Sequence, residues 1–138
     1  MGEIAAIEQD LIEEFSLFDN WMDRYQYIID LGRELPDFPE DERVDENLLH
    51  GCQSQVWLTF QPDNGRLSFR ATSDSAIVSG LIALVSRVYS GREAAEIVNN
   101  SADFIAAIGL DAHLSPTRSN GLHSMIQAIK AEAGACAG

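Results

Sequence analysis

Among the side chains able to do chemistry, Cys52 has the most informative surroundings. It lies in the run His50-Gly51-Cys52-Gln53-Ser54-Gln55-Val56-Trp57. A structural cysteine normally sits among apolar neighbours at helix or strand period. Here the neighbours are glycine, glutamine and serine, and Gly51 lets the backbone turn tightly beside the sulfur. The pattern places the thiol at or near a loop tip, where a thiolate can serve as a nucleophile if its pKa and access allow. His50 stands two residues away. On an alternating strand that spacing shares a face, so His50 could polarise the thiol, or it is simply exposed.

The remaining candidates are sparser. Cys136 sits in the tail Gly134-Ala135-Cys136-Ala137-Gly138, which reads as frayed, so reactivity there would be incidental. His113 and His123 have no partner at a useful spacing. Arg118 is an isolated cation between Thr117 and Ser119 at the start of a helix, an end that itself favours anions. It could stabilise a sulfur anion if the fold brings it near Cys52; the other reading is an ordinary surface arginine. Two distant cysteines and three scattered histidines do not supply the ligand spacings of a zinc or iron–sulfur site, and no structural disulfide is expected.

These residues must be held by a scaffold, and the periodicities describe one. Ile4, Ile7, Leu11, Phe15 and Phe18 make one helical stripe over about Ile4 to Phe18. Asp19 or Asn20 caps a second helix, Trp21 to Arg33, with Trp21, Tyr25, Ile28 and Ile29 inward and Met22 alongside. Pro36 and Pro39 end it, and the acidic run that follows reads as an exposed loop. Val56–Phe60 and Leu67–Thr72 are β-type runs joined by Pro62-Asp63-Asn64-Gly65, a hairpin turn. Leu48-Leu49 offers a short third strand. Ser73 or Asp74 caps a strongly apolar helix over about Ser75 to Ser90, the centre of the core, ended by Gly91. Short helices follow over Glu93 to Asn99 and from Ser101 to Gly109, and Ser115-Pro116 opens the last one. Helices, a meander of about three antiparallel strands, then helices again make an α+β domain.

With 138 residues, 46% hydrophobic and 22% charged, the chain is the size of a single domain, residues 1–138. No run approaches a membrane span, and the early acids of the N-terminus do not resemble a secretory signal, so a soluble, cytoplasmic protein is expected. Nine basic residues against 22 acids give a net charge of −13. Residues 1–48 carry 15 acids and 3 arginines, so the acidity belongs to one segment. This argues against nucleic acid or anionic lipid as partner, and fits a solvated face or docking on a basic protein surface.

The segment Gly51-Cys52-Gln53-Ser54-Gln55-Val56-Trp57 resembles the cysteine motif of the SufE family of sulfur-acceptor proteins. Further blocks match in order: Tyr27-Ile28-Ile29-Asp30-Leu31-Gly32 with Leu35-Pro36, Ser73-Asp74-Ser75-Ala76-Ile77-Val78 with Gly80-Leu81-Ile82-Ala83, and His113-Leu114-Ser115-Pro116-Thr117-Arg118-Ser119 with Gly121-Leu122. The resemblance covers nearly the whole chain, apart from the acidic first helix and the tail. It implies a SufE/IscU-like fold and a protein that takes persulfide sulfur from a cysteine desulfurase (SufS-like or CsdA-like) onto Cys52. Such a protein stimulates the desulfurase and delivers sulfur to an iron–sulfur scaffold complex (SufBCD-like). It implies no cofactor in this chain beyond the transient persulfide, the PLP belonging to the partner. A single internal cysteine does not match a cluster scaffold. Gly51, Gln53, Gln55, His50 and Arg118 are then the candidates for the persulfide environment or the partner contact.

Two other classes stay open on the residues alone. One is a stand-alone thiol enzyme, a thioltransferase or peroxidase, using Cys52 with His50, although no resolving cysteine lies at a sensible spacing. The other is a non-catalytic desulfurase-binding module in which Cys52 is incidental.

Overall fold

The computed structural model describes residues 2–49 and 55–137. The candidates His50, Gly51, Cys52 and Gln53 lie outside the described residues. Helix α1 runs over Glu3–Phe15 and α2 over Trp21–Arg33. Two 3-10 turns follow at Glu40–Glu42 and Asp45–Asn47. Strands β1 (Val56–Asp63) and β2 (Arg66–Ser73) come next, then helix α3 (Ala76–Tyr89), strand β3 (Arg92–Glu93) and four helices: α4 (Ala94–Asn99), α5 (Phe104–Ala107), α6 (Leu110–His113) and α7 (Pro116–Ala137). The sheet is antiparallel in the order β1-β2-β3, which is the expected α+β architecture.

The hairpin follows directly from its turn. Asn64 and Gly65 both take positive φ, 51° and 81°, and a turn with both central residues in that region matches the twist of the flanking strands. The register pairs Leu58 with Ala71, Phe60 with Phe69 and Pro62 with Leu67. Leu67, Phe69 and Ala71 are buried while Ser68 and Arg70 are exposed, the period-two signature of a sheet with one covered face. Helices α3 and α7 both pack on β2.

Helix α3 is the centre of the core. Ile77, Leu81, Ile82, Leu84, Val85, Val88 and Tyr89 are all buried, each aliphatic side chain contributing about 1.5–3 kcal/mol. It lies against α2 so closely that a methyl group on Gly80 would be driven into the Ile28 carbonyl. Outside this contact, the Glu14 carboxylate joins three helices. It pairs with the Arg87 guanidinium and accepts from the Tyr27 hydroxyl at 2.6 Å. The Arg87 hydrogen bond holds the Glu14 carboxyl below its usual range, while burial and the bond to Glu14 push Tyr27 up. At the far end, Asn100 is a hub. Its side-chain oxygen accepts from the buried Tyr89 hydroxyl at 2.6 Å, its amide donates to Glu8 at 3.2 Å, and its carbonyl accepts from Lys130.

Several boundaries differ from the sequence expectation. Helix α1 stops at Phe15, because the Leu17 and Phe18 amides turn back to Glu14 and Phe15, leaving Leu17 79% exposed. On α2 only Ile28 is fully buried; Trp21, Tyr25 and Ile29 are half-buried and Met22 is exposed. The cap of α3 is Ser75, whose side chain accepts from Val78 N–H. The third strand is Arg92–Glu93 on the β2 edge, whereas Leu48 makes one isolated bridge to Trp57. The region from Ser101 to Gly109 holds only the single turn α5, with α6 beyond it. The tail is not frayed: α7 continues to Ala137, and Cys136 packs against the core. Among the described residues, no helix is long and apolar enough to cross a membrane.

Candidate functional site

The frame around residues 50–54 is built from both flanks. Before them, Asn47 Nδ2 donates to the Glu42 carbonyl at 2.8 Å, tying the two 3-10 turns together. Leu49 N–H then donates to the Val56 carbonyl at 2.8 Å beside the Leu48–Trp57 bridge. After them, the Gln55 carbonyl accepts from Ser73 Oγ at 2.7 Å, and the same hydroxyl accepts from Ser75 N–H at the start of α3. The chain therefore leaves and rejoins a hydrogen-bonded base that is continuous with the sheet and the central helix. A hydrogen-bonded base of this kind fixes the two points at which the described chain stops and resumes. Arg43 lies over the Trp57 ring, 5.4 Å from its centroid, a cation–π contact that pins the acidic turns to β1.

Opposite Leu48 and Leu49 stands the face of α7 that carries Asn120, His123, Ser124 and Gln127. Between them is an open groove of about 680 Å³. Helical spacing puts these α7 residues on one side, because positions three and four apart share a face. The helix begins two residues before Arg118, with Pro116 in its first turn and Ser115 Oγ accepting from Arg118 N–H at 3.3 Å. The Arg118 side chain is half-buried, and its Nη1 is shielded from water without a hydrogen-bond partner among the described residues. A buried guanidinium nitrogen without an acceptor is costly, so an anion is the group this position would favour.

Of the candidates read from the sequence, Gln55 and Arg118 are described. Gln55 has an exposed side chain, and Arg118 lies on the helix that forms the opposite wall of the groove. Two histidines without evident partners turn out to have them. His123 Nε2 lies 3.2 Å from Asp111 Oδ1, which also accepts from Ser119 Oγ at 3.3 Å. His113 stacks on Trp21 with ring centroids 4.5 Å apart, its Nδ1 3.0 Å from the Gly109 carbonyl. Asp111 and His123 stand on different helices, so no single helical period announces the pair. Only His123 among the histidines of the described residues lines the groove.

Residues 9–133 match the family described as SufE, Fe-S metabolism associated domain. An uncharacterized SufE-like protein of Rhizobium meliloti (strain 1021) is 47% identical over 135 residues, spanning 94% of this chain and 96% of the relative. An uncharacterized SufE-like protein of Rhizobium etli is 44% identical over 135 residues, spanning 94% and 90%. A solution structure of a hypothetical protein from Thermus thermophilus superposes with a TM-score of 0.77 over 94% of this chain and 95% of that one. At 17% identity it speaks to the fold alone.

Proposed function

Because this chain belongs to the SufE family of Fe–S metabolism associated proteins, we propose that it accepts sulfur on Cys52 from the persulfide of a cysteine desulfurase and passes it on for iron–sulfur cluster assembly. The observation that carries the reading is the motif Gly51-Cys52-Gln53-Ser54-Gln55-Val56-Trp57 inside the family match over residues 9–133. The base at Leu49, Gln55 and Val56 supports it, since a transferable sulfur needs a fixed point of presentation.

The chemistry is a thiol exchange. The Cys52 thiolate attacks the terminal sulfur of the donor's persulfide. A bond forms from Cys52 Sγ to that sulfur, the donor's S–S bond breaks, and the donor cysteine leaves as a thiolate. The proton on the terminal sulfur travels with it, so Cys52 becomes a persulfide with no net oxidation or reduction. The rate follows thiolate fraction, leaving group and access. Arg118, if brought to the loaded sulfur, would favour its anionic form, and the amides of Gln53 and Gln55 can donate without adding charge. The PLP that creates the donor persulfide belongs to the desulfurase, and this reading gives the chain no resident cofactor. A SufBCD-like scaffold complex is the recipient it proposes.

Mass spectrometry after mixing the chain with a PLP-loaded desulfurase and free cysteine tests this. The expected result is a mass increase of one sulfur atom on the peptide containing Cys52, reversed by a thiol reductant. Desulfurase turnover with no sulfur on Cys52 would overturn the acceptor reading.

A further inference from the structure

We propose that the groove between Leu48–Leu49 and α7 is the docking surface for a basic, apolar-anchored segment of the sulfur donor, with the acidic turns beside it as its electrostatic rim. The proposal rests on the acceptor reading for the identity of the partner, and on the groove itself for the chemistry of recognition.

The walls of the groove match a polypeptide. Leu48, Leu49 and Ala128 are half-buried and supply apolar surface. The α7 side offers the amides of Asn120 and Gln127 and the hydroxyl of Ser124, which can donate to or accept from a peptide backbone. Among the described residues, no lysine or arginine lines the groove.

The rim selects the sign of the occupant. Residues 37–46 hold six acids, Asp37, Glu40, Asp41, Glu42, Asp45 and Glu46, against the single cation Arg43. All but Glu42 are exposed. Among the described residues, the one ion pair in this stretch is Glu40–Arg43 at 3.8 Å, and Arg43 is also engaged on Trp57. The bond from Asn47 to Glu42 fixes the two turns to each other, and the second turn runs straight into Leu48, so Asp45 and Glu46 are held beside the Leu48 wall of the groove and the first turn is tied to them. A second copy of this chain would bring the same acidic rim and be repelled, as would nucleic acid. A basic protein segment gains rim attraction without having to bury an unpaired charge. Leu49 immediately precedes residues 50–54, so an occupant of this groove sits at the root of the segment that bears Cys52.

Two variants separate the charge from the cavity: Asp45→Lys with Glu46→Lys, and Ser124→Trp, which fills the groove from a half-buried position. Binding of the full chain to a PLP-loaded cysteine desulfurase is measured by titration calorimetry at low and physiological salt. Sulfur on Cys52 is read separately by mass spectrometry. The charge reversal should weaken binding about tenfold at low salt and flatten its salt dependence. Ser124→Trp should weaken binding by a similar factor and keep the salt dependence. Asp45→Glu with Glu46→Asp should bind like the parent. If both disruptive variants bind within about twofold of the parent while Cys52 still loads, the docking surface is wrong and the acceptor role stands. If they lose binding but the parent's Cys52 never gains sulfur, docking stands and the acceptor role falls. A parent that does not bind the desulfurase overturns both.

Discussion

Replacing Cys52 by serine removes the attacking thiolate and leaves a hydroxyl far too basic to ionise at neutral pH. Cys52→Ser should therefore abolish persulfide loading, while Cys136→Ser, which alters a thiol packed on the end of α7, should load like the parent; mass spectrometry of both variants checks this, and equal losses would reject the assignment. Arg118 invites a different test. Its Nη1 has no acceptor among the described residues, so the fold gains little from that nitrogen. Arg118→Ala should shift stability by no more than about 0.5 kcal/mol in urea melts and yet slow sulfur transfer. A large stability loss with normal transfer per folded molecule would make Arg118 structural. At this scale the sequence offers a candidate where chemistry is local, since Cys52, which lies outside the described residues, is proposed from its immediate neighbours. It was illegible where chemistry depends on tertiary pairing. Nothing around His123 in the chain announces Asp111, twelve residues earlier on another helix, nor does the region around His113 announce the Trp21 ring.

The elements that position the site depend on one close crossing. Helices α2 and α3 meet where Gly80 faces the Ile28 backbone, and Gly32, one turn further along the same face of α2, packs on the Gly80 backbone. Gly80→Ala should cost about 1–3 kcal/mol through forced separation of the helices. Gly134 is the control, because a methyl there meets nothing within 4 Å. On the exposed end of α7, Gly134→Ala should stabilise by about 0.5–1 kcal/mol by reducing the freedom of the unfolded chain. Denaturant midpoints moving in opposite directions would bear out the crossing; the same small shift in both would remove it. The elements themselves were legible where a period and a punctuating residue coincide. Helix α2 has the expected limits because Asn20 accepts from Asp23 N–H at its start, and the hairpin forms because Asn64-Gly65 tolerates the turn. The third strand was not legible. Arg92–Glu93 is too short to show a period, and it pairs with β2 only because α3 returns the chain there, with Gly91 N–H on the Leu67 carbonyl and Ala94 N–H on the Gly65 carbonyl. The last helix outran its expected end because buried Ala133 and half-buried Cys136 dock a composition that reads as a loose tail.

For the whole molecule the acidic excess raises the question of how the fold tolerates low and neutral pH, and two carboxylates on α1 answer with opposite signs. Glu14 is held below its usual range first by the hydrogen bond from Arg87. A lowered folded pKa means stability that is present above the unfolded value, about 4.3 for glutamate, and lost as pH falls through the folded value. Glu8 is raised, first by burial and against the opposing bond from Asn100, with Oε2 shielded from water and unpartnered among the described residues. A raised carboxyl penalises the fold while it is ionised, and the penalty is relieved as pH falls through the folded value toward the unfolded one. Asp103 adds to the Glu8 penalty at a distance, whereas Lys130 is already engaged by the Asn100 carbonyl. Glu14→Gln should then be destabilised by about 1 kcal/mol at neutral pH, as expected for a half-exposed ion pair, and converge on the parent in acid. Glu8→Gln keeps an amide oxygen for Asn100 and drops the charge, so at neutral pH it should match or exceed the parent's stability, an advantage that shrinks as the pH falls. Urea unfolding of the three proteins from neutral pH to well below the unfolded glutamate value of about 4.3 gives two difference curves. Both should close toward the parent in acid, from opposite sides, and curves starting on the same side at neutral pH would show that neither the Arg87 clamp nor the buried Glu8 oxygen governs the fold's response to protons.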